Sequence, residues 1–408
     1  MGIFFITNSF GSPEVFAQNV IKIGQSTALT GPAATFGVGA RHSALMAIEE
    51  INAKGGIKGQ KLELVSLDSE HNPVKAVANY RQLVEKEKCV ALLGGSNSAS
   101  MLAVEPIINR ELKVPLMCPA TDATQITENE AWAKGLPNYM FRYGMFGRGQ
   151  SRTMVLFAVE KFGYKRVALL TWKAGWGVTG RGEILKRLAE LKIEPVADET
   201  YDTADTDMTS QLMKIRAAKA EVILNYGLVK DNSYVVRTKG KLGDMTPYMS
   251  AWGVASQAFW EVAKTSAEGV LTTTTITAHG PQPEKVQRFL DKYYKKHGDN
   301  LEAMPMTFAG YDIINLFAQV MEKVGTNPEA IRNGLENVTY FNGLVKEFKR
   351  PVFTKERHDA FLWNEDYILC RWTSGKLLQV FFDNDGPYVM VSAKEKKYLN
   401  KQTGELKQ

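Results

Sequence analysis

From Val20 onward the chain alternates two hydrophobic periods. Short runs rich in Val, Ile and Leu read as strands: "VIKIGQSTAL", "KLELVSLDS", "CVALLGG" and "VPLMCPA", then, after a break, "RVALLTW", "EPVADETY", "EVILNYG", "PYMSAW" and "GVLTTTTI". Between them lie stretches of about 12 to 20 residues with apolar positions every three or four, which read as helices. In "GARHSALMAIEEINAKGG" residues Ala40, Ala44, Ala47, Ile48 and Ile51 form one stripe, and "PVKAVANYRQLVEKEK", "SMLAVEPIINRELK" and "RTMVLFAVEKFG" repeat the pattern. Strands that alternate with helices pair in parallel, need both faces covered, and cross over with a right hand, which predicts a doubly wound α/β sheet. The alternation runs twice, over Val20 to Tyr139 and over Arg166 to Thr277, and so predicts two similar lobes. After Thr277 come two amphipathic helices, "PEKVQRFLDKYYKKHG" and "MTFAGYDIINLFAQVMEKVG", and short strands around "DAFLWN", "YILCRW" and "LLQVFF". These late elements must pack back on lobes already begun, so more than one crossing and a hinge are expected.

Length agrees with two lobes, since 408 residues exceed what one core accommodates. With 44% hydrophobic and 23% charged residues the composition is that of a folded globular protein. A net charge of +6, with no basic run interleaved with aromatics, excludes a nucleic-acid groove. The basic ending "SAKEKKYLNKQTGELKQ" reads as a solvated tail. Cys89, Cys118 and Cys370 are too few and too scattered for a disulfide framework or a zinc site, and read as buried thiols. No uncharged apolar run of about 18 residues occurs. The opening "MGIFFITNSFGSPEVFA" has an apolar patch, no basic start, and small residues near Ala17; it reads as an export-signal remnant or an added leader.

Catalytic motifs are missing. The turn after the first strand, "TALTGPAATFGVGAR", lacks GxGxxG, the Gly177, Gly180, Gly182 run has its glycines in the wrong order, and no P-loop occurs. In "GGSNSAS" the GxSxG pattern fails at Ser98. His42, His71, His279, His297 and His358 show no paired metal spacing and read as surface or helix histidines. The chain is expected to have no catalytic residues, no metal and no cofactor.

In open α/β sheets, ligands sit beyond the carboxyl ends of the strands, where loop amides and helix N-termini point outward. The loops there are "SNSAS", "ATDAT", "KAGWG", "GLVKDN" and "GVAS". The first two combine hydroxyl and amide groups with a helix start, which suits a small carboxylate; simple N-capping by Ser98 and Thr124 is the alternative.

The stretch "IKIGQSTALTGPAATFGVGARHSALMAIEEINAKGGIKGQKLELVSLDSEHNPVKAVANYRQLV" resembles the opening of the periplasmic substrate-binding proteins of branched-chain and hydrophobic amino-acid ABC transporters. "INAKGGIKGQKLEL" is its most specific element, and "LLGGSNSAS", "VPLMCPATDAT" and "RPVFTKERHDAF" are similar to later parts of the family, so the likeness runs from Val20 to about Val380. The resemblance implies the type I periplasmic-binding fold: two Rossmann-like lobes, joined by a three-segment hinge, that close on an amino acid or related carboxylate and deliver it to a permease. The expected division is a leader at 1–19, lobe 1 at 20–143 and 274–345, lobe 2 at 144–273 and 346–390, and a tail at 391–408.

Carried over by position, the family's carboxylate loop falls on Gly95 to Ser98, including Asn97, and the turn that meets the ligand's amino end on Ala120, Thr121 and Asp122. The covering aromatic of the first loop matches Phe36, and the aromatic closing from the second lobe matches Trp176. A loop that often carries an aromatic matches Leu228 with Val229, and the acid that pairs with the substrate ammonium falls on Trp252. That departure leaves two readings. Either Asp122 serves as the carboxylate for an amine, with cation–π help from Trp176 and Trp252, or Asp122 caps the following helix and the ligand is an aromatic carboxylate without an amino group.

The leading expectation is therefore an extracytoplasmic solute-binding protein, acting as a monomer, with a small-molecule ligand and an ABC permease as partners and no nucleic acid. A ligand-sensing module of a receptor or regulator, and an enzyme on the same scaffold, are the competing classes.

Overall fold

A computed structural model describes residues 20–31, 33–298, 301 and 303–381, together with strands at 388–392, 397–400 and 406–407. The leader expected at 1–19 lies outside the described residues. The first sheet holds β1 (Ile21–Thr27), β2 (Leu62–Asp68), β3 (Ala91–Leu93), β4 (Leu116–Cys118) and β5 (Met140–Arg142), all parallel, in the order β2-β1-β3-β4-β5. The second is built on the same plan from β6 (Val167–Trp172), β7 (Ala197–Tyr201), β8 (Val222–Asn225), β9 (Tyr248–Ser250) and β10 (Leu271–Thr274). A small hairpin, β11 (Phe341–Asn342) with β12 (Glu347–Phe348), precedes β13 (Ile368–Thr373) and β14 (Lys376–Gln379). β13 pairs antiparallel to β10, and β14 to β13, so the second sheet runs β14-β13-β10-β9-β8-β6-β7.

Each central strand is buried on both faces, which explains the continuous apolar runs. On β6, Ala168 and Leu170 join one core while Val167 and Leu169 join the other. In the first lobe the helix Ala34–Ala53 covers the sheet through Ala44, Ala47 and Ile48, and the helix Met304–Val324 packs on it through Ile313 and Phe317. The two helices touch where Gly310 faces Ala40: a Cβ on Gly310 would sit 2.4 Å from the Ala40 carbonyl, so only glycine permits that approach.

The chain passes between the sheets three times, after β5, after β10 and before β13. Phe348, Val352, Phe353 and Phe361 bury in the first lobe's core, so the segment through 361 packs with that lobe, where the sequence placed it in the second. "DAFLWN", expected as a strand, makes only an isolated bridge between Asp359 and Arg142. The ending read as a solvated tail carries strands Lys397–Asn400 and Leu406–Lys407, which pair antiparallel with each other, and the first of them pairs with Tyr388–Ser392 just before it.

The three cysteines are buried and free, as expected. Two histidines depart from the surface-or-helix reading. His358 is 2% exposed, stacks on Phe141 at 4.0 Å, and bonds the Met140 carbonyl and Glu336. His279 accepts the Leu377 amide through Nδ1 from a loop. Among the described residues no helix is long and apolar enough to cross a membrane, and no group of three metal-ligating side chains occurs.

Candidate functional site

The loops at the carboxyl ends of both sheets face one another. On the first lobe, Asn97, not Ser98, caps the helix Ser98–Ile107: its Oδ1 accepts the amides of Ala99 (2.9 Å) and Ser100 (3.4 Å), while its Nδ2 donates to the His71 carbonyl. Ser98 is freed for another task. Its Oγ accepts the Asp122 amide at 3.0 Å and the Ala123 amide at 3.3 Å, tying the loop after β3 to the loop after β4. Thr124 caps nothing; the short turn Thr124–Ile126 has Ala123 at its cap position, with no side-chain bond. Gly95, Asn97 and Ser100 share a small polar cavity with Ser26, Thr27 and Ser96. The Ser100 hydroxyl in it is buried and has no partner, as is the Thr121 hydroxyl in the next loop. Such unpaired buried groups each cost about 1–3 kcal/mol unless a ligand or water meets them.

A buried cation holds the second loop in place. Arg142, fully enclosed, donates from Nη1 to the carbonyls of Thr121 (2.7 Å) and Ala123 (2.9 Å), from Nη2 to Thr127 Oγ1, and from Nε to Asp359 Oδ1 at 2.7 Å. With its backbone pinned, Asp122 turns its carboxyl towards the second lobe. The Tyr226 hydroxyl stands 3.4 Å from Asp122 Oδ1 and 2.9 Å from Gln150 Oε1, and its single hydrogen serves one of them. Burial pushes the Asp122 carboxyl up to about 7, against the opposing pull of Arg142 and of the Tyr226 hydrogen bond. Asp122 does not cap a following helix; the carboxyl remains available at the cleft.

Aromatic rings complete the walls. Trp176, in the first turn of the helix Gly175–Glu190, meets Tyr226 edge-on at 4.8 Å and Trp252 at 5.7 Å. Trp252, in the turn after β9, meets Phe36 of the first lobe edge-on at 5.4 Å. Phe36 and Trp252 lie against Ala40, Ala120 and Met306, so the small Ala120 of the expected set forms part of the ring floor. The Trp176 indole N–H is buried without a partner, a further donor awaiting an acceptor. The glycine run that fails as a dinucleotide motif is explained here: a Cβ on Gly180 would fall 2.2 Å from the Tyr226 ring, so glycine lets that ring lie on the helix.

The structure thus brings Phe36, Ala120, Asp122, Trp176 and Trp252 into one contact network, with Ser98 as the strut behind Asp122. Thr121 and Gly95 line the same loops. Leu228 stands apart: it is the residue before the helix Val229–Lys241, and its carbonyl accepts from Asn232. Sequence reasoning passed over Tyr226, Gln150 and Arg142. Tyr226 ends an apolar run and reads as strand, and the partners of all three are far off in sequence.

A family model described as periplasmic binding protein matches residues 20–376. An amino acid binding protein of Pseudomonas aeruginosa is 28% identical over 312 residues, covering 76% of this chain and 80% of its own. The leucine-, isoleucine-, valine-, threonine-, and alanine-binding protein of the same organism is 26% identical, covering 79% of this chain and 84% of its own. Among solved structures, a periplasmic binding protein type 1 from Bordetella pertussis is similar at a TM-score of 0.75 and 26% identity, covering 88% of this chain and 99% of that one. The two-lobed fold, the facing loops and these matches lead to one assignment: the chain belongs to the periplasmic binding protein family.

Proposed function

We propose that this chain is an extracytoplasmic solute-binding protein that encloses a small hydrophobic or aromatic amino acid between its lobes and delivers it to an ABC permease, without catalysis. The ligand carboxylate goes to the unpaired donors of the first lobe, the Ser100 and Thr121 hydroxyls, near the start of the helix Ser98–Ile107. The ammonium goes to Asp122, and the apolar side chain lies among Phe36, Trp176 and Trp252. The observation that carries this reading is Asp122: its main-chain amide is held by Ser98, its carboxyl has Tyr226 of the opposite lobe as neighbour, and no cationic side chain is bonded to its oxygens among the described residues. The names of the relatives, which bind amino acids, agree with it. Closure is the mechanism, because ligand contacts drawn from both lobes favour the closed state that a permease can recognise.

A thermal-shift panel tests this. Aliphatic and aromatic amino acids are set beside carboxylates of the same shape that lack the amino group. A ligand at about 100 times its dissociation constant adds roughly 2.7 kcal/mol, a shift of a few degrees. Shifts with amino acids are expected; shifts only with the amine-free acids would overturn the ammonium role of Asp122.

A further inference from the structure

Between the start of the helix Gly147–Val155 and the segment from Arg357 to Trp363 lies a cavity of about 380 Å³ that none of Phe36, Asp122, Trp176 and Trp252 lines. Three guanidinium groups face it, those of Arg148, Arg152 and Arg357, with the rings of Phe146 and Trp363 as walls. Arg148 stands over Phe146 at 5.7 Å, and Arg152 over Trp363 at 5.7 Å.

The charges do not balance. Arg148 is held by both oxygens of Glu128, and Arg152 by both oxygens of Glu190. Asp359, the other carboxylate at the cavity, is committed to Arg142 and Thr127. Arg357 donates only to main-chain carbonyls, those of Pro351, Val352 and Asp359, and has no carboxylate partner among the described residues. Lining the cavity are three cations against two anions, and the Nε–H of each of the three arginines makes no hydrogen bond among the described residues. A guanidinium presents five donors in a planar fork that matches a carboxylate or phosphate, and flat rings beside it suit a flat anion.

We propose that this cavity is a second binding site, separate from the cleft, for a small organic oxyanion with a flat apolar body. The anion's oxygens meet Arg357 and Arg152, and its body lies against Phe146 and Trp363. The site takes parts from both lobes. Arg148 and Arg152 ride on the helix Gly147–Val155, whose Met154 and Val155 pack in the second lobe, whereas Arg357 and Asp359 belong to a segment bonded to β5, with the Arg142 amide on His358 and the Ala360 amide on Arg142. An occupant therefore contacts both moving bodies.

The test is isothermal titration of phthalate, a flat dianion, into the full chain, with inorganic phosphate as a second probe. Phthalate is expected to bind, and Arg357→Gln and Arg152→Gln are each expected to weaken it by about tenfold, the effect of losing one charge-assisted contact. Phe36→Ala, which removes a cleft ring that an amino acid and an amine-free aromatic acid would both meet, is expected to weaken amino-acid binding and leave phthalate binding unchanged, so failure here and failure of the amino-acid reading are distinguishable. Arg152 is half-buried and paired with Glu190 outside the core, and its variant serves if Arg357→Gln does not fold. Absent binding, binding indifferent to both arginine variants, or binding lost in Phe36→Ala would overturn the proposal. Phosphate, which has no ring, should bind about tenfold more weakly; equal binding would refute the role of Phe146 and Trp363.

Discussion

The Tyr226 hydroxyl reaches Asp122 Oδ1 across the cleft at 3.4 Å, so a side chain of the second lobe meets the carboxyl that Ser98 and Arg142 hold in place in the first. Tyr226 is fully buried, rests on Trp176 and bonds Gln150, which leaves its hydroxyl little freedom. Contact between the lobes and the charge state of the ligand site therefore meet at one pair of atoms.

Replacing Asp122 with Asn removes the charge and keeps the shape. Truncating a hydrogen-bonded charge pair typically costs 2–5 kcal/mol, so amino-acid affinity measured by calorimetry at pH 8 is expected to fall by about 30-fold or more. An amine-free acid of the same shape should be little affected.

The same carboxyl sets a pH dependence with a definite sign. Its folded value, about 7, lies above the ordinary 3.8, so between these values the folded state holds the proton that the unfolded state has lost. The contribution of Asp122 to stability is complete below pH 4 and is lost as pH rises to 7. Asp122→Asn should therefore melt higher than the parent at pH 8, and the advantage should vanish at pH 4. Binding runs the other way: an ammonium needs the ionised carboxyl, so affinity for an amino acid should fall by up to tenfold per unit below about pH 7.

Tyr226→Phe deletes one hydroxyl and preserves the ring that fills the space over Gly180. A net hydrogen bond contributes about 0.5–1.5 kcal/mol, so affinity should drop roughly two- to tenfold; the melting temperature should fall by a few degrees as well, because buried Gln150 Oε1 loses its donor. Small-angle scattering should show weaker compaction at equal ligand concentration. Unchanged affinity would mean the hydroxyl does not assist closure.

Arg142→Met strips a buried carboxylate of its partner and unpins the Thr121 and Ala123 carbonyls. Breaking one side of such a pair costs about 3–5 kcal/mol, whereas removing both members can be close to neutral. Denaturant melts should show a large loss in Arg142→Met and partial recovery when Asp359→Leu is added. Ligand affinity should not recover, because the loop anchor is still missing.

Gly180→Ala places a methyl 2.2 Å from the Tyr226 ring. Overpacking of this kind costs about 1–3 kcal/mol, and the displaced ring carries Trp176 with it. Both a lower melting temperature and weaker ligand binding are expected; loss of stability alone would separate the ring stack from the ligand site.

The alternation of periods was enough to read the lobes, because each strand and helix declares itself within its own dozen residues. The meeting of the rings was legible for a related reason: Phe36 and Trp176 open the helices that follow β1 and β6, and Trp252 stands in the turn after β9, at the strand ends where open sheets put their ligands. Caps were harder. Ser96, Asn97 and Ser98 are all able cap residues, and only the backbone decides that Asn97 takes the role and Ser98 turns to the neighbouring loop. Arg142 with Asp359, and Tyr226 with Gln150, are pairs 217 and 76 residues apart, and no local pattern announces them. "DAFLWN" has the composition of a strand, yet Asp359 is drawn to Arg142, the Leu362 amide to Asp366, and Phe361 into the first core.

The three passages through the hinge also govern how such a chain must come together. When β10 emerges, ten parallel strands exist, but the helix Ala34–Ala53 still lacks the cover that Ile313 and Phe317 supply. The second sheet then waits for β13 and β14 to close its edge. Each lobe is thus a discontinuous stretch of chain that finishes only after the other has begun, and contacts of such long separation form slowly. Cutting the gene between lobes would yield two pieces each missing part of a core, and assembly is expected only once the last crossing segment is available.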